Sequence, residues 1–400
     1  MPQLDYQTLL AACRPGGSSA LTSVTDLKPA GGDHAAVAPA RFVLGDNSVY
    51  AYGVRYIDGE AQQTVDIDGK SSQGNRFEKP LADAIADGHP LLSRVPHVAV
   101  TYRDGTEVYT DLQLPHRLWD GHIRAGTIDG APATDDPRYR AARDSSPADA
   151  KALLETSPTS LVFGSWDSTR KSHQARYRSV LVGEIIGVLA DQGKEARTPN
   201  PRGGARVDPV AMSVRLTGKE LQGIVDAQAS ELSPKLIERV GKTIKSAGTK
   251  AQSASALGLG AIPPSLDPLG SVACKRIIRT HVLSFSALRQ LRFGAGPDGD
   301  AAARALLAAY ALAGLARSDS ELSLRANCDL VESGNPTVTL DARYGKTVEF
   351  DPITIETADA LLEKALAEAE KKADVTWDGL VLTVTGNPAI RAGAVADADE

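Results

Sequence analysis

Three short passages concentrate hydrogen-bonding side chains and arginine: SSQGNR at Ser71 to Arg76, PHRLWDGHIR at Pro115 to Arg124, and GSWDSTRKSHQARYR at Gly164 to Arg178. Each follows a strand-like run, and their residue types suit phosphate. Free N–H groups at a helix start receive phosphate oxygens, small polar side chains add donors, and arginine offers a planar fork that pairs with phosphate or stacks on a base. Any one passage alone reads better as helix capping by Ser or Asn beside surface arginine. Three together favour gripping the backbone of a single strand.

Other chemistries find less support. Gly69-Lys70-Ser71 resembles the end of a P-loop, but the glycine required five residues earlier is Thr64. The GLG at Gly258 to Gly260 lacks a third glycine and runs into Pro263-Pro264, not a helix. GSWDS is not a nucleophile elbow. Asp66 and Asp68 share one face of a strand and are able in principle to hold Mg²⁺, but solvated strand carboxylates are much the better reading. His116 and His122 are six residues apart, a poor spacing for joint ligation from one helix. Cys13, Cys274 and Cys328 are odd in number and scattered, which predicts buried thiols and neither a disulfide framework nor a zinc site. No cofactor motif emerges.

The elements that must position these passages belong to an α+β fold. ARFVLG, SVYAYGVRYI and TVDID read as strands, and a helix opened by Ser71 or Ser72 carries Phe77, Leu81, Ala84 and Ile85 on one face. HVAVTYRDGTEVYTDLQL predicts a hairpin about Asp104-Gly105. SLVFG reads as a strand, and Val180 to Leu189 as a buried helix. AAARALLAAYALAGLA, Ala301 to Ala316, is too short for a membrane span and predicts another buried helix. Residues 1–35 read as an N-terminal extension, 36–390 as one elaborated domain with an insertion over about 198–270, and 391–400 as a disordered acidic tail. The N-terminus lacks the basic and apolar regions of a secretory signal, so the chain is expected in the cytoplasm.

The net charge of −6 conceals an uneven distribution. Arg170 to Arg292 holds 20 Lys plus Arg against 9 Asp plus Glu, leaving 24 basic against 41 acidic residues elsewhere. A basic middle between acidic flanks is consistent with a polyanion site, and also with a merely solvated basic face.

The ordered set DGKSSQGNRFE, LPHRLWDGHIR and VFGSWDSTRKSHQARYRSVLVGEIIG, followed by GLGAIPP and LRQLRFG, resembles the backbone subunit of the type I-G (formerly I-U) CRISPR Cascade complex, a family of the RAMP superfamily. The likeness runs from about Val65 to Leu330; Gly74 stands where the family usually has Ala. It implies an RRM-like, ferredoxin-like palm with large insertions, one of them thumb-like. It also implies a helical filament of several copies along one crRNA that base-pairs with target DNA, with other Cascade subunits and, indirectly, an effector nuclease-helicase as partners, and no membrane. On this likeness Ser72, Gln73, Asn75 and Arg76 form one guide contact, and His116, Arg117 and Arg124 a second. Trp166, Ser168, Arg170, Arg176 and Arg178 form a third. Lys242, Lys245 and Lys250 of the insertion either meet RNA or solubilise the loop, and Lys275 and Arg276, which closely follow it, are better candidates for RNA contact. No residue is assigned a catalytic role. The RNP1 pattern is missing and only 5% of residues are aromatic, so base stacking on a sheet face is not expected. Removing Asn75 and Arg76 together is expected to leave the fold intact. Two alternatives remain: a metal-dependent RNA endonuclease subunit using Asp66, Asp68 or Asp167, and a stand-alone protein binding a small anion.

Overall fold

The computed structural model describes residues 1–167, 169–170, 175–193, 195–205, 213–247, 250–260 and 262–393. Its contacts divide the chain into two compact units, one comprising Met1–Arg197 with Val272–Glu400 and the other Thr198–Ser271. In the larger unit seven strands form a sheet: β1 (Ala20–Pro29), β2 (Tyr52–Ile57), β3 (Glu60–Asp68), β4 (Leu181–Leu189), β5 (Cys274–Ser284), β6 (Thr337–Asp341) and β7 (Thr347–Phe350). Their order is β7-β6-β1-β5-β4-β3-β2 with every pairing antiparallel, and the short strand Leu330–Glu332 also pairs with β1. With helices α1 (Lys70–Ala86) and α2 (Gly296–Ser320) the path β1-α1-β4-β5-α2-β6 is βαββαβ, its four strands ordered fourth-first-third-second. That is the ferredoxin-like topology, extended by β2, β3 and β7. The α+β, ferredoxin-like expectation therefore holds.

Several local expectations do not. Val180 to Leu189 is strand β4, because its pattern is one of alternation: Leu181, Gly183 and Ile185 face inward in turn. The SLVFG region is helical from Pro158 to Val162, where a proline at the first turn starts the helix. Residues 1–35 are not an extension, since β1 lies centrally between β5 and β6. The inward row of β1 is Leu21, Ser23, Thr25 and Leu27, so two small polar residues broke the apolar alternation that marks a strand. They are small because their β5 partners are large and polar: Ser23 pairs with His281 and Thr25 with Arg279, both 1% exposed. Residues 391–393 end the helix Pro388–Gly393, and 394–400 lie outside the described residues.

Helix α2 is buried on nearly all sides from Gly299 to Ser318, packed by α1, by the N-terminal helix Tyr6–Cys13 and by α3 (Ile355–Ala373). Alanine allows that close approach. Arg304, which interrupts the apolar run, is buried and donates twice to the Leu291 carbonyl at 2.6 and 2.9 Å. A second sheet sets His97–Tyr102 in the expected hairpin with Glu107–Thr110 and parallel to Val381–Thr385. Among the described residues no helix is long and apolar enough to cross a membrane. Within the smaller unit, Asn200–Gly204 pairs with Ser265–Ser271, and the helix Gly218–Ala227 opens with a Thr217/Glu220 capping box. Lys242 and Lys245 lie on its second helix, Pro234–Ala247.

Two glycines should respond oppositely to a methyl group. At Gly183, opposite His281, a Cβ would sit 2.5 Å from the imidazole Cδ2, whereas at Gly74 in α1 it would meet nothing within 4 Å. Gly183→Ala should lower the unfolding free energy by about 1–3 kcal/mol and Gly74→Ala should raise it by about 0.5–1 kcal/mol, measured by urea denaturation.

Candidate nucleic-acid interface

The first passage is not a loop. Helix α1 begins at Lys70, immediately after β3, so Ser71 to Arg76 fill its first two turns. Gly69 provides no side-chain cap and the first turn carries no acid, which leaves early N–H groups unopposed. Three of the four polar side chains expected to hold RNA turn inward to Asp68, the fully buried last residue of β3. Ser72 Oγ donates to Asp68 Oδ1 at 2.9 Å, Gln73 Nε2 to Oδ2 at 2.6 Å, and Arg76 Nε to Oδ2 at 3.0 Å. Arg325 completes the set, with Nη2 2.6 Å from Oδ1 and Nη1 2.6 Å from the Ile67 carbonyl oxygen. Burial would push the Asp68 carboxyl up, but the bonds from Arg76, Gln73 and Ser72 outweigh it and hold the group below the usual carboxylate range. Only Asn75 of that quartet is exposed.

A second buried interaction follows from the first. Gln73 spends its amide N–H on Asp68, so its Oε1 accepts from His281 Nε2 at 3.2 Å, which leaves Nδ1 unprotonated. Burial, then the nearby Arg279, push this imidazole down to about 3, so it is neutral. Its Nδ1 faces Asp319 Oδ1 at 3.6 Å, and burial lifts Asp319 to about 6. Arg279 joins Asp319 at 3.4 Å to Glu332 at 2.5 Å. The Arg76 guanidinium also donates to the Ser323 carbonyl. Replacing Arg76 would therefore leave a buried carboxylate short of a partner, contrary to the expectation that Asn75 and Arg76 are removable together.

The second passage divides. His116 is exposed, but Arg117, with φ of +48°, turns inward to Glu78 of α1 in a bidentate pair at 2.5 and 2.6 Å and donates to the Gly164 carbonyl at 2.6 Å. Arg124 is half-buried and donates to the Trp119 carbonyl and to Thr169 Oγ1, both at 2.9 Å. Through these bonds the second and third passages lie side by side. An open groove of about 550 Å³ lies between α1 and the second passage, lined by Ser71, Asn75, Lys79, Gln113, Pro115 and Arg117.

In the third passage Ser165–Trp166 pairs with Arg176–Tyr177, setting Trp166 opposite Arg176. Tyr177 is buried and stacks on Trp119 with ring centroids 5.7 Å apart, while Trp166, Arg176 and Arg178 are exposed. Arg170 binds Asp144 at 2.7 Å, and Asp167 holds Thr169 and Arg143. Ser168 lies outside the described residues. Lys275 donates to Gln62 at 2.9 Å, and Arg276 is shared by Asp26 at 2.8 Å and Asp58 at 3.0 Å, on the sheet and remote in register from Gln73's partner His281. Among the described residues no cluster of three or more His, Cys, Asp or Glu is placed to hold a metal. Sequence reasoning missed His281, Arg279, Arg325 and Glu78, which stand singly among apolar or mixed residues and carry no spacing signal.

Residues 21–192, from β1 past β4, match the model of a family described as CRISPR-associated protein GSU0053. That stretch contains all three arginine-bearing passages. A chain of a solved structure titled "Type IV-B CRISPR Complex" is similar at 13% identity and a TM-score of 0.26, over 84% of this chain and 96% of that one. No curated protein matches the chain. The family match supports a CRISPR-associated protein.

Beneath Arg117 lies an imbalance of charge. Burial pushes Glu78 up to about 6 against the pull of Arg117, and pushes the fully buried Asp111 up to about 7. Neither Asp111 oxygen makes a well-formed hydrogen bond, although Ser157 and the Val98 backbone lie near enough to pull the other way. A carboxyl whose pKa rises on folding holds its proton more tightly in the folded chain, so these two groups make stability fall as pH rises from about 4 to about 7. Asp111→Asn should match the parent near pH 4.5 and exceed it by on the order of 2 kcal/mol above pH 7.5, in urea melts at both values.

Proposed function

We propose that the chain is a guide-RNA-binding backbone subunit of a type I CRISPR Cascade complex, acting in the cytoplasm. Several copies lie along the crRNA spacer and hold it for pairing with target DNA, beside other Cascade subunits. An effector nuclease-helicase acts on the assembled complex. In this reading the chain itself catalyses nothing.

The observation that carries the reading is a division of labour among the arginines. Arg76, Arg117, Arg124 and Arg170 are bound to protein groups and fix the shape of the three passages. Arg176 and Arg178 are exposed, Arg176 directly across from Trp166, itself beside His116, and neither has an ion pair or side-chain hydrogen bond among the described residues. Unpaired cations on a fixed surface suit a sequence-blind hold on phosphate. The resemblance of the three motifs to the Cascade backbone subunit and the family match over 21–192 support the same conclusion. Arg117 and Arg124 thereby change from guide contacts to residues that position them.

RNA co-purifying at several protomers per strand is the expected result; protein free of nucleic acid and unable to bind a single-stranded oligonucleotide would defeat the proposal. Contact with phosphate also predicts salt dependence. Replacing Arg176 and Arg178 by Ala should weaken binding equally for unrelated RNA sequences and reduce the magnitude of the log K against log[salt] slope by roughly 1.4, about 0.7 per contact.

A further inference from the structure

Trp166 is an aromatic side chain in an unusual place. Of the three tryptophans, Trp119 and Trp377 are 1% exposed and Trp166 is 48% exposed. Its exposure does not come from a loose segment. Residues 165 and 177 alternate to the inner side, where Ser165 donates to the Ser160 carbonyl at 3.0 Å and Tyr177 stacks on Trp119. Gly164, at φ +81°, holds the strand so close to its partner that a Cβ there would lie 2.6 Å from the Ser179 nitrogen. The outer side is therefore fixed from beneath. It presents Trp166, the tilted His116 ring with centroids 6.3 Å away, and directly across the ladder Arg176, with Arg178 two residues on.

A held, outward indole beside two exposed guanidinium groups, unpaired among the described residues, is suited to a flat, anionic ligand. We infer that one nucleobase of single-stranded RNA stacks on the outward face of Trp166 while its neighbouring phosphates lie on Arg176 and Arg178. This rests on the RNA-binding reading above and deepens it: the contact is one stacked base per protomer, tolerant of sequence because every base has a π face. It differs from RRM-type stacking, since the platform is a two-residue ribbon outside the main sheet.

The two buried indoles make Trp166 the one that acrylamide reaches, so its emission reports the site. A uridine 20-mer should quench that emission and shield it from acrylamide. A 20-mer of abasic ribose phosphate, equal in charge, should bind about 5- to 150-fold more weakly and leave emission unchanged, the span of one stacked base. Trp166→Ala should lose a similar factor for the uridine 20-mer and nothing for the abasic strand, and Trp166→Phe should recover most of it. Should Trp166→Ala fail to fold, the parent's quenching and Trp166→Phe still decide. Full RNA affinity in Trp166→Ala, or RNA bound without quenching, would overturn the inference and leave the RNA-binding reading standing. Unchanged RNA affinity with lost self-association in sedimentation would assign Trp166 to a protein contact and overturn it too. No binding of either strand by the parent would remove the RNA-binding reading itself.

Discussion

The buried carboxylate of Asp68 is the constraint on which the larger unit depends. It ends β3, and in accepting from Ser72, Gln73, Arg76 and Arg325 it fixes the start of α1 and the segment after α2 in one place. An unpaired carboxylate in the interior costs several kcal/mol, so its partners are not interchangeable. Gln73 then sets the tautomer of His281, and His281 requires glycine at position 183 and a small residue at position 23. A polar chain thus runs through the helix-facing layer of the sheet, where a ferredoxin-like core would ordinarily be apolar. Phe77, edge-on to His281 at 5.2 Å and stacked with Phe163 at 6.2 Å, joins it to the hydrocarbon core.

The proposed interface is built by a second charge pair of the same kind. Arg117 in a left-handed backbone conformation would be strained alone; Glu78 and the Gly164 carbonyl hold it there. The effect is to set His116 beside Trp166, on the ribbon that also carries Arg176. Arginine here has two uses, internal fastening and outward charge, and the motif contains both without distinguishing them.

That ambiguity marks how far the sequence was legible. The strands from Arg41 to Asp68 and the hairpin at Gly105 were visible from their β-branched and aromatic residues, even though Val43, Leu44 and Tyr56 are exposed, and the Ala-rich helix from its long apolar run. β1 and β4 were not, because Ser23, Thr25, Gly183 and Gly187 accommodate polar or bulky neighbours that only the tertiary fold supplies. The three site passages were found by composition, but which guanidinium is spent on a carboxylate depends on Asp68 and Glu78, residues eight and thirty-nine positions from their arginines. Separations of that size leave no periodic signal.

The position of β1 also bears on how the chain is made. This strand leaves the ribosome well before its partners, β5, about 260 residues later, and β6, later still. At 5–20 residues per second it waits roughly 15–50 s with both edges open. An alternating Leu-Val strand exposed for so long would invite pairing with other nascent chains. Ser23, Thr25, Asp26 and Lys28 lower that hazard, so the residues that accommodate His281 and Arg279 in the finished sheet also protect the strand during synthesis. With its central pairings this distant in sequence, the sheet closes late and folds slowly.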